Sequence, residues 1–499
     1  MGLYYLLTLI SAIVSFISFA PFKFEWLIFI GFIPLLFVLD KLKTKTKQLN
    51  NFLKFKHYFY VSLIYSLIYM GLTNIWTFQL IEFSSVPEII ILFIVYTIFQ
   101  ALFYILIICL YAMFNSPLIL FPCYWIIFEF IKALGPFGSP NGILGYCLST
   151  NYLSEYASYG GIYLMSFIIL IINYLIYLVI KTGFSPSKFK KQIIIIFIFF
   201  LILYIPNVVN LKKSTLNRTL NVGLIQVNHP ISYKLDGKNR RNIRNDYIIL
   251  SKRALNSDKL DLIIWPETIT ASENLKFPLF MSQLHHLSNL NDTGFILGTP
   301  RKFNDSYFNS AALVYNNLTF FYDKNHLMPY GEYWPGKSIF QFFNLDNFIP
   351  GSEFSQGNFK TIFNFKSLKL GIGICLETTM GFFYRDYTKQ NVNILISLVN
   401  NAWFKSSSIA ARQLQMLQFR AIETGLPILQ SSNMGFTCVI DSTGLIVKSL
   451  PQFKQTYLNH SLELSSIHTI YNKIGNLVVL IGLLFILIEL LIRRVKLKV

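Results

Sequence analysis

Three side chains in the second half of the chain have types that could act together on a carbonyl carbon. Glu267 ends the apolar run LIIWPE, Lys324 lies in the turn-rich segment FYDKNHLMPYGEYWP, and Cys375 follows the apolar run LGIGI. A partly desolvated glutamate can accept a proton near neutral pH, and a fixed ammonium stabilises the oxyanion of an attacked carbonyl. A thiol near a lysine is expected to be partly ionised and nucleophilic. The residue types therefore indicate covalent catalysis by a cysteine.

Each of these residues also has a plainer interpretation. A glutamate after a strand can cap a helix, a lysine amid aromatics can lie along the surface, and a single strand cysteine is usually a packing residue. Two further acids suggest a built site, because Glu332 could hold the lysine or the base and Glu377 could orient the loop after the cysteine. His326 offers a different partner for the thiol. The other cysteine of this region, Cys438 in FTCVID, is interpreted as structural.

The elements that must position these residues begin near Asn221. Short β-type runs such as LDLIIWPE, LKLGIGIC and VNILISLV alternate there with helical patterns, which predicts an α/β domain over residues 220–465. In such sheets ligands gather where strands end, and Glu267 and Cys375 each lie at the end of a strand-like run. The pattern SIAARQLQMLQFRAIETG (408–425) predicts a helix that ends at Gly425, with Pro427 just beyond.

The rest of the chain has the composition of a membrane protein. Hydrophobic residues make up 54% of the sequence and charged residues only 13%, against about 25% charged in soluble chains. Apolar stretches predict a bundle of about seven helices over 1–206 and one C-terminal helix at 474–492. The predicted spans are Leu3–Phe19, Trp26–Leu39, Tyr58–Leu72, Ile89–Met113, Leu118–Ile131, Ile162–Ile180, Ile193–Ile205 and Leu477–Ile492.

The positions of the lysines predict an orientation for these spans. Basic residues concentrate in the loops 41–56 and 181–191 and in the tail after Ile492, whereas the loops of opposite parity, 76–87 and 133–159, hold none. Short basic loops stay in the cytoplasm, so both termini are expected there and the α/β domain on the outer side. The net charge of +19 therefore reflects membrane topology, and no nucleic-acid partner is expected.

No metal or other cofactor is expected either. The five cysteines form no CxxC pair, and the seven histidines form no HExxH motif.

The order and local context of Glu267, Lys324 and Cys375 resemble the nitrilase superfamily of carbon–nitrogen hydrolases. With spans before and after the domain, the whole chain resembles the apolipoprotein N-acyltransferase family of bacterial envelopes. The motifs that carry the resemblance are WPE (265–267), KNHL-x-PYGE (324–332), GICLE (373–377), VNNAWF (399–404), QMLQFRAIE (415–423) and SSNMGFT (431–437). Two positions depart from the family pattern, since Leu376 and Leu235 stand where aromatic residues are common.

The resemblance implies a four-layer α-β-β-α sandwich beside a polytopic helical bundle of about eight spans. It implies Glu267, Lys324 and Cys375 as a catalytic triad, with Glu332 and Glu377 as supporting acids. The implied reaction moves a fatty acyl chain from a phospholipid, through a cysteine thioester, to the N-terminal amine of a diacylglyceryl-cysteine on an apolipoprotein. The implied location is the bacterial inner membrane with a periplasmic catalytic domain, and a monomer is expected.

Three alternatives stay open from the sequence. A membrane-anchored amidase would use the same triad on water and a small amide. A transporter with a non-catalytic outer domain would need charges in its spans, where few such as Glu129 occur. A papain-like enzyme would pair Cys375 with His326. Composition also suggests that the aromatic segment Phe340–Pro350 forms a lid at the lipid surface.

Overall fold

A computed structural model of the 499-residue chain describes most of the sequence. The exceptions within residues 1–499 are 23, 136–137, 150–151, 184–192, 196, 199, 202–203, 205–210, 336, 338–352, 359, 405–407 and 497–499. The chain divides into two compact units. One comprises Met1–Leu211, Ser407–Gln415 and Lys473–Val499, and the other comprises Lys212–Ser406 and Met416–Asn472.

The first unit is helical. Within its described residues, three helical stretches are long and apolar enough to cross a membrane, namely Asn51–Glu82, Val86–Met113 and Tyr152–Thr182. The predicted total of about eight spans stays a prediction. The α-helices of this unit are Gly2–Ile17, Ile28–Gly31, Ile33–Lys45, Asn51–Asn74, Val86–Met113, Phe121–Lys132, Ala157–Thr182 and Leu477–Lys496.

One predicted span is interrupted. Trp26–Leu39 is divided between a 3-10 turn at Glu25–Leu27 and two α-helices that meet at Phe32. Pro34 lies in the first turn of the second helix, where its missing N–H and fixed φ favour a helix start over a continuous helix. Of the predicted span Ile193–Ile205, the described residues 193–195, 197–198, 200–201 and 204 are helical. The predicted lid segment lies outside the described residues.

The second unit contains two six-stranded sheets. The strands are β1 (Lys213–Gln226), β2 (Leu262–Ile264), β3 (Gly294–Phe303), β4 (Ser306–Tyr315), β5 (Leu318–Asp323), β6 (Ile362–Phe365), β7 (Leu368–Ile374), β8 (Ile394–Asn400), β9 (Ile428–Asn433), β10 (Cys438–Ile440), β11 (Ile446–Ser449) and β12 (Thr456–Ile467). Along the first sheet the strand order is β12-β1-β2-β3-β4-β5, and along the second it is β11-β10-β9-β8-β7-β6.

The centre of each sheet is parallel. β1, β2 and β3 pair in parallel, as do β7, β8 and β9, and the outer strands pair antiparallel. β2 and β8 are buried along their whole length, as expected for parallel strands covered on both faces. The predicted α/β organisation is therefore confirmed, and the carboxyl ends of neighbouring parallel strands form a shared edge for a site.

The sheets pack face to face and carry helices on their outer faces. Ser431 on β9 donates a hydrogen bond of 2.9 Å to the carbonyl of Ile225 on β1. Tyr247 of an outer helix stacks on Trp265 after β2, and Tyr387 of another donates to the carbonyl of Ile372 on β7. The α-helices of this unit are Ile231–Leu235, Arg240–Ser257, Pro278–Asn291 and Gly381–Thr388; Ser408–Thr424 and Ile470–Ile474 each straddle the boundary between the units.

The end of the helix Ser408–Thr424 confirms the sequence prediction. Gly425 follows the helix with a φ of +67°. That left-handed conformation suits glycine, which terminates helices at this position without steric cost.

Candidate active site

The three predicted catalytic residues follow three different strands of the second unit and come together. Glu267 lies just beyond β2, Lys324 directly follows β5, and Cys375 directly follows β7. Cys375 adopts a φ of +50°, a left-handed conformation that is uncommon for a residue with a side chain. Backbone strain of this kind clusters at functional sites, where surrounding contacts hold it in place. The left-handed conformation of Cys375 therefore ends β7 with a sharp turn and places the thiol at the end of the strand.

The carboxylate of Glu267 is enclosed, with only 7% of the residue exposed. Its Oε1 accepts a hydrogen bond of 2.9 Å from Asn309 Nδ2, and its Oε2 accepts one of 3.0 Å from the backbone N–H of Asn400. Burial raises the pKa of this carboxyl, and Lys324 opposes the rise. A glutamate with a raised pKa is suited to accept a proton and return it near neutral pH.

Lys324 is 1% exposed and lies between two carboxylates. Its Nζ is 2.8 Å from Glu332 Oε2 and 3.7 Å from Glu267 Oε1. Burial alone would disfavour the ammonium, but Glu332 and Glu267 together raise the pKa of Lys324 above its ordinary value. The site thus contains a permanent, positioned positive charge, the feature needed to stabilise an oxyanion.

The thiol of Cys375 faces both groups. Burial raises its pKa above the usual range, Glu267 adds to the rise through charge and a hydrogen bond, and Lys324 counters it only in part. The expectation of a partly ionised thiol is therefore wrong. The nearby lysine does not ionise the thiol because burial and Glu267 outweigh its charge, so proton transfer to a base is required before Cys375 can attack.

Glu332 fixes the lysine through both carboxylate oxygens. Oε1 accepts from Lys324 Nζ at 3.0 Å and from Asn309 Nδ2 at 2.6 Å, and Oε2 accepts from the N–H of Met328 at 2.6 Å. Asn309 Nδ2 also donates to Glu267, so this one amide group bridges the two carboxylates that lie on either side of the Lys324 ammonium.

Glu377 joins the nucleophile turn to the lysine segment. Its Oε2 accepts from the N–H of Ile374 at 2.9 Å, while Oε1 accepts from Tyr322 Oη at 2.7 Å and from the N–H groups of Asn325 and His326 at 2.6 Å and 3.0 Å. Burial raises the pKa of this carboxyl to about 7. Glu377 thereby ties the end of β7 to the residues that follow Lys324.

His326 contributes its backbone rather than its ring to this arrangement. The ring packs edge-on against Phe382 and Phe383, and its Nδ1 has no hydrogen-bond partner among the described residues. A Cys–His pair thus has no described ring contact to support it. Cys438 is buried inside β10, away from this set of contacts, as its structural interpretation requires.

Three asparagines of the site were not among the predicted residues. Asn309 lies within β4, Asn400 ends β8, and Asn433 ends β9, where its Nδ2 donates 3.1 Å to Asn400 Oδ1. A single carboxamide inside or after a strand gives no chemical signal in the sequence. Only the motifs VNNAWF and SSNMGFT pointed to the two strand ends, and no pattern marked Asn309.

Comparison with known families assigns both parts of the chain. Residues 222–471 match the Carbon-nitrogen hydrolase family, and residues 11–175 match the Apolipoprotein N-acyltransferase N-terminal domain. An apolipoprotein N-acyltransferase from Geobacter metallireducens is 28% identical over 377 residues, 72% of this chain and 71% of that protein. One from Haemophilus ducreyi is 26% identical over 491 residues, 94% of each chain.

Two solved structures align with about half of this chain. A carbon-nitrogen hydrolase from Helicobacter pylori covers 49% of this chain and 90% of its own, with 17% identity and a TM-score of 0.39. A CN-hydrolase superfamily protein from Xanthomonas campestris covers 49% and 91%, with 15% identity and a TM-score of 0.38.

Proposed function

Since the chain belongs to the carbon–nitrogen hydrolase family, we propose that it transfers a fatty acyl chain from a phospholipid to the N-terminal amine of a bacterial lipoprotein. Its first 175 residues include the domain typical of apolipoprotein N-acyltransferases, and relatives of that name align over most of the chain. The acceptor would be the diacylglyceryl-cysteine at the start of an apolipoprotein. The chain is an acyltransferase of a bacterial membrane.

The single observation that carries the mechanism is the contact set around Cys375. A protonated thiol that hydrogen-bonds to a buried carboxylate, with an ammonium beside both, has the parts for covalent acyl transfer. Glu267 takes the thiol proton as Sγ attacks the ester carbonyl of the phospholipid. Lys324, with backbone N–H groups near Cys375, stabilises the tetrahedral oxyanion. The intermediate collapses to a thioester, and Glu267 returns the proton to the departing lysophospholipid oxygen.

The second half-reaction uses the same groups in reverse. The neutral α-amine of the lipoprotein attacks the thioester carbonyl, and Glu267 accepts the proton that the amine loses. The C–S bond breaks, the thiolate of Cys375 takes the proton back, and the acyl chain leaves as an amide. Two half-reactions through one covalent intermediate predict ping-pong kinetics.

The proposal includes an orientation in the membrane. About eight spans, in 1–206 and 474–492, would place both termini in the cytoplasm and the catalytic domain of 220–465 on the periplasmic side, as the lysine distribution favours. Both substrates are lipid-anchored, so the protein would work at the bilayer surface, where we expect a monomer. Labelling of single cysteines introduced into the loops 41–56 and 76–87 with a membrane-impermeant reagent tests the orientation, because only the second should react in intact cells.

The experiment that tests the function is capture of the acyl-enzyme. Purified full-length protein in nanodiscs is incubated with a phospholipid labelled in its acyl chain, and the label is mapped by mass spectrometry after mild acid quench. Label should appear on Cys375 and be released by hydroxylamine. Cys375→Ala should abolish the label, and the matched control Cys438→Ala should keep it.

Transfer itself is measured by adding a diacylated lipopeptide to the isolated acyl-enzyme. The label should move to the peptide amine with equal loss from the protein. Absence of label on Cys375 together with hydrolysis of small amides would instead identify the membrane-anchored amidase and refute the proposal.

A further inference from the structure

A second lysine is buried beside the site, and the sequence did not mark it. Lys234 belongs to the short helix Ile231–Leu235 in the segment that follows β1, and it is only 2% exposed. Its Nζ is inaccessible to solvent and has no hydrogen-bond partner among the described residues. Burying an ammonium without a hydrogen-bond partner costs free energy, so a nearby negative charge is expected to offset that cost.

The segment that carries Lys234 is clamped to the strands around Glu267. Asn433 accepts from the N–H of His229 at 2.9 Å and donates to the carbonyl of His229 at 2.9 Å. The same amide donates to Asn400, whose backbone N–H binds Glu267 Oε2. Two hydrogen-bonded residues, Asn400 and Asn433, therefore connect the base to the segment that carries Lys234 and hold that segment in place beside it.

Four ionisable side chains among the described residues interact most strongly with Lys234 or Glu267, besides the pair itself: Lys324, Glu332, Cys375 and His229. Lys234 interacts electrostatically with Glu267, and its charge also acts on His229. His229 in turn forms a 3.0 Å pair with Asp246 of the helix Arg240–Ser257. The groups that act on Glu267 are Lys324 and Glu332 from the segment after β5, Cys375 after β7, and Lys234. Lys324 is already neutralised by Glu332, whereas the Lys234 ammonium has Glu267 as its counter-charge.

We propose that Lys234 is a positioning residue for the general base, and that its buried ammonium holds the Glu267 carboxylate in the ionised form that accepts a proton. The inference rests on the proposed function for the identity of the base. When Glu267 takes a proton from the thiol, Lys234 loses its counter-charge. The ammonium therefore favours return of that proton, and it speeds departure of the lysophospholipid and of the thiolate.

The acid–base behaviour of Lys234 agrees with this role. Burial lowers its pKa to about 7, and Glu267 opposes the fall. The lysine is thus charged below neutral pH, in the range where the buried Glu267, with its raised pKa, most needs help to stay ionised. Removing the charge raises the pKa of Glu267 further, so the acid limb of any reaction that needs the carboxylate moves to higher pH.

The test measures the pH dependence of Cys375 alkylation by iodoacetamide, which needs the base but neither lipid nor lipoprotein. Full-length protein in nanodiscs is compared with Lys234→Met, Lys234→Arg and the matched control Lys238→Met, which alters an exposed lysine four residues on. In Lys234→Met the acid limb should move up by about one pH unit, equivalent to an approximately tenfold lower rate constant below the limb. Lys234→Arg should keep the wild-type acid limb, because a guanidinium stays charged throughout. Lys238→Met should keep it as well, because Lys238 is exposed.

An unchanged acid limb in a folded Lys234→Met protein overturns the inference, even if its melting temperature falls. If Lys234→Met does not fold, Lys234→Arg decides, since a limb above that of the wild type contradicts an electrostatic role. Failure of the proposed function gives a different result. In that case Cys375 alkylation keeps its Lys234-dependent acid limb while no acyl-thioester forms with phospholipid.

Discussion

Replacement of Glu332 by glutamine tests whether the lysine must be held from both sides. The carboxylate of Glu332 accepts hydrogen bonds at both oxygens, from Lys324 and Asn309 at Oε1 and from Met328 at Oε2, and Oε2 also forms a 2.8 Å ion pair with Lys324. Glutamine has nearly the same shape but a single acceptor oxygen. In either orientation of the amide, its NH₂ group would face an N–H donor. Among the described residues, Lys324 then keeps Glu267, at 3.7 Å, as its charged partner.

The magnitude follows from the bonds that are lost. A hydrogen bond to a charged group contributes about 1.5–3 kcal/mol, and an unsatisfied buried donor adds a comparable cost. If about 3 kcal/mol of this loss appears as poorer placement of Lys324 in the transition state, acylation slows by about a hundredfold. Loss of the Glu332 charge would also lower the pKa of Cys375, but Glu267 and Lys324 act on that thiol more strongly. Misplacement of the ammonium should therefore dominate.

The assay is single-turnover formation of the Cys375 thioester from an acyl-labelled phospholipid. Glu332→Gln is compared with the wild type and with Glu463→Gln, a change of the same kind at an exposed position on β12. We expect the acylation rate constant to be about a hundredfold lower in Glu332→Gln than in the wild type and unchanged in the control. An acylation rate in Glu332→Gln within threefold of the wild type would refute the argument that Glu332 positions Lys324.

Three further outcomes are expected. Lys324→Met should abolish thioester formation while His326→Ala leaves most of it, and the opposite ranking would favour a Cys–His enzyme. Burial raises the pKa of Glu267, so the acylation rate should fall, as the pH is lowered, at a pH above about 4.3, the usual pKa of a glutamate. A profile of kcat/KM against pH that falls only at or below that value would contradict the role of Glu267 as the base. Burial raises the pKa of Glu377 to about 7, so the protonated carboxyl stabilises the fold below about pH 4.3, and this contribution is lost as the pH rises through about 7. Between these two pH values the Tm of Glu377→Gln should decline less than that of the wild type. Equal slopes of Tm against pH would contradict the raised pKa of Glu377.

The sequence predicted that Glu267 and Cys375 lie at strand ends, because each follows a strand-like run, whereas Lys324 was predicted from its turn-rich segment. Glu267 and Cys375 follow β2 and β7, the middle and an outer member of the two parallel strand triplets, and carboxyl ends of such strands converge. The link between Lys324 and Glu332 was also foreseen, because eight residues in a turn-rich segment bring opposite charges within reach. Local order along the chain was enough for the contact between Lys324 and Glu332, whereas the approach of Glu267 and Cys375 also depends on the packing of the two sheets.

Contacts that depend on strand register were not accessible in the same way. Asn309 reaches both Glu267 and Glu332 only because of its position within β4, and no periodicity marks a useful carboxamide inside a strand. The protonated thiol of Cys375 was missed for a related reason. Its charge state depends on burial and on the distances to three ionisable groups, which no linear spacing reveals.

The membrane part shows the limit of hydropathy alone. The run Trp26–Leu39 is apolar enough to suggest one span, but the chain breaks near Phe32 into short helices. A proline at the start of a helical turn outweighs the uniform hydrophobicity of its neighbours.

The raised pKa of the Cys375 thiol has a consequence for drug discovery and for survival under stress. Peroxides and disulfides react with thiolates, so a nucleophile that stays protonated at rest reacts slowly with both. An electrophilic inhibitor must therefore engage Glu267 as a substrate would, by presenting a carbonyl-like group in line with the thiol. Warheads selected for intrinsic reactivity should label the abundant low-pKa cysteines of other proteins first. Ester-like or amide-like warheads of modest reactivity should show the greater selectivity for this enzyme.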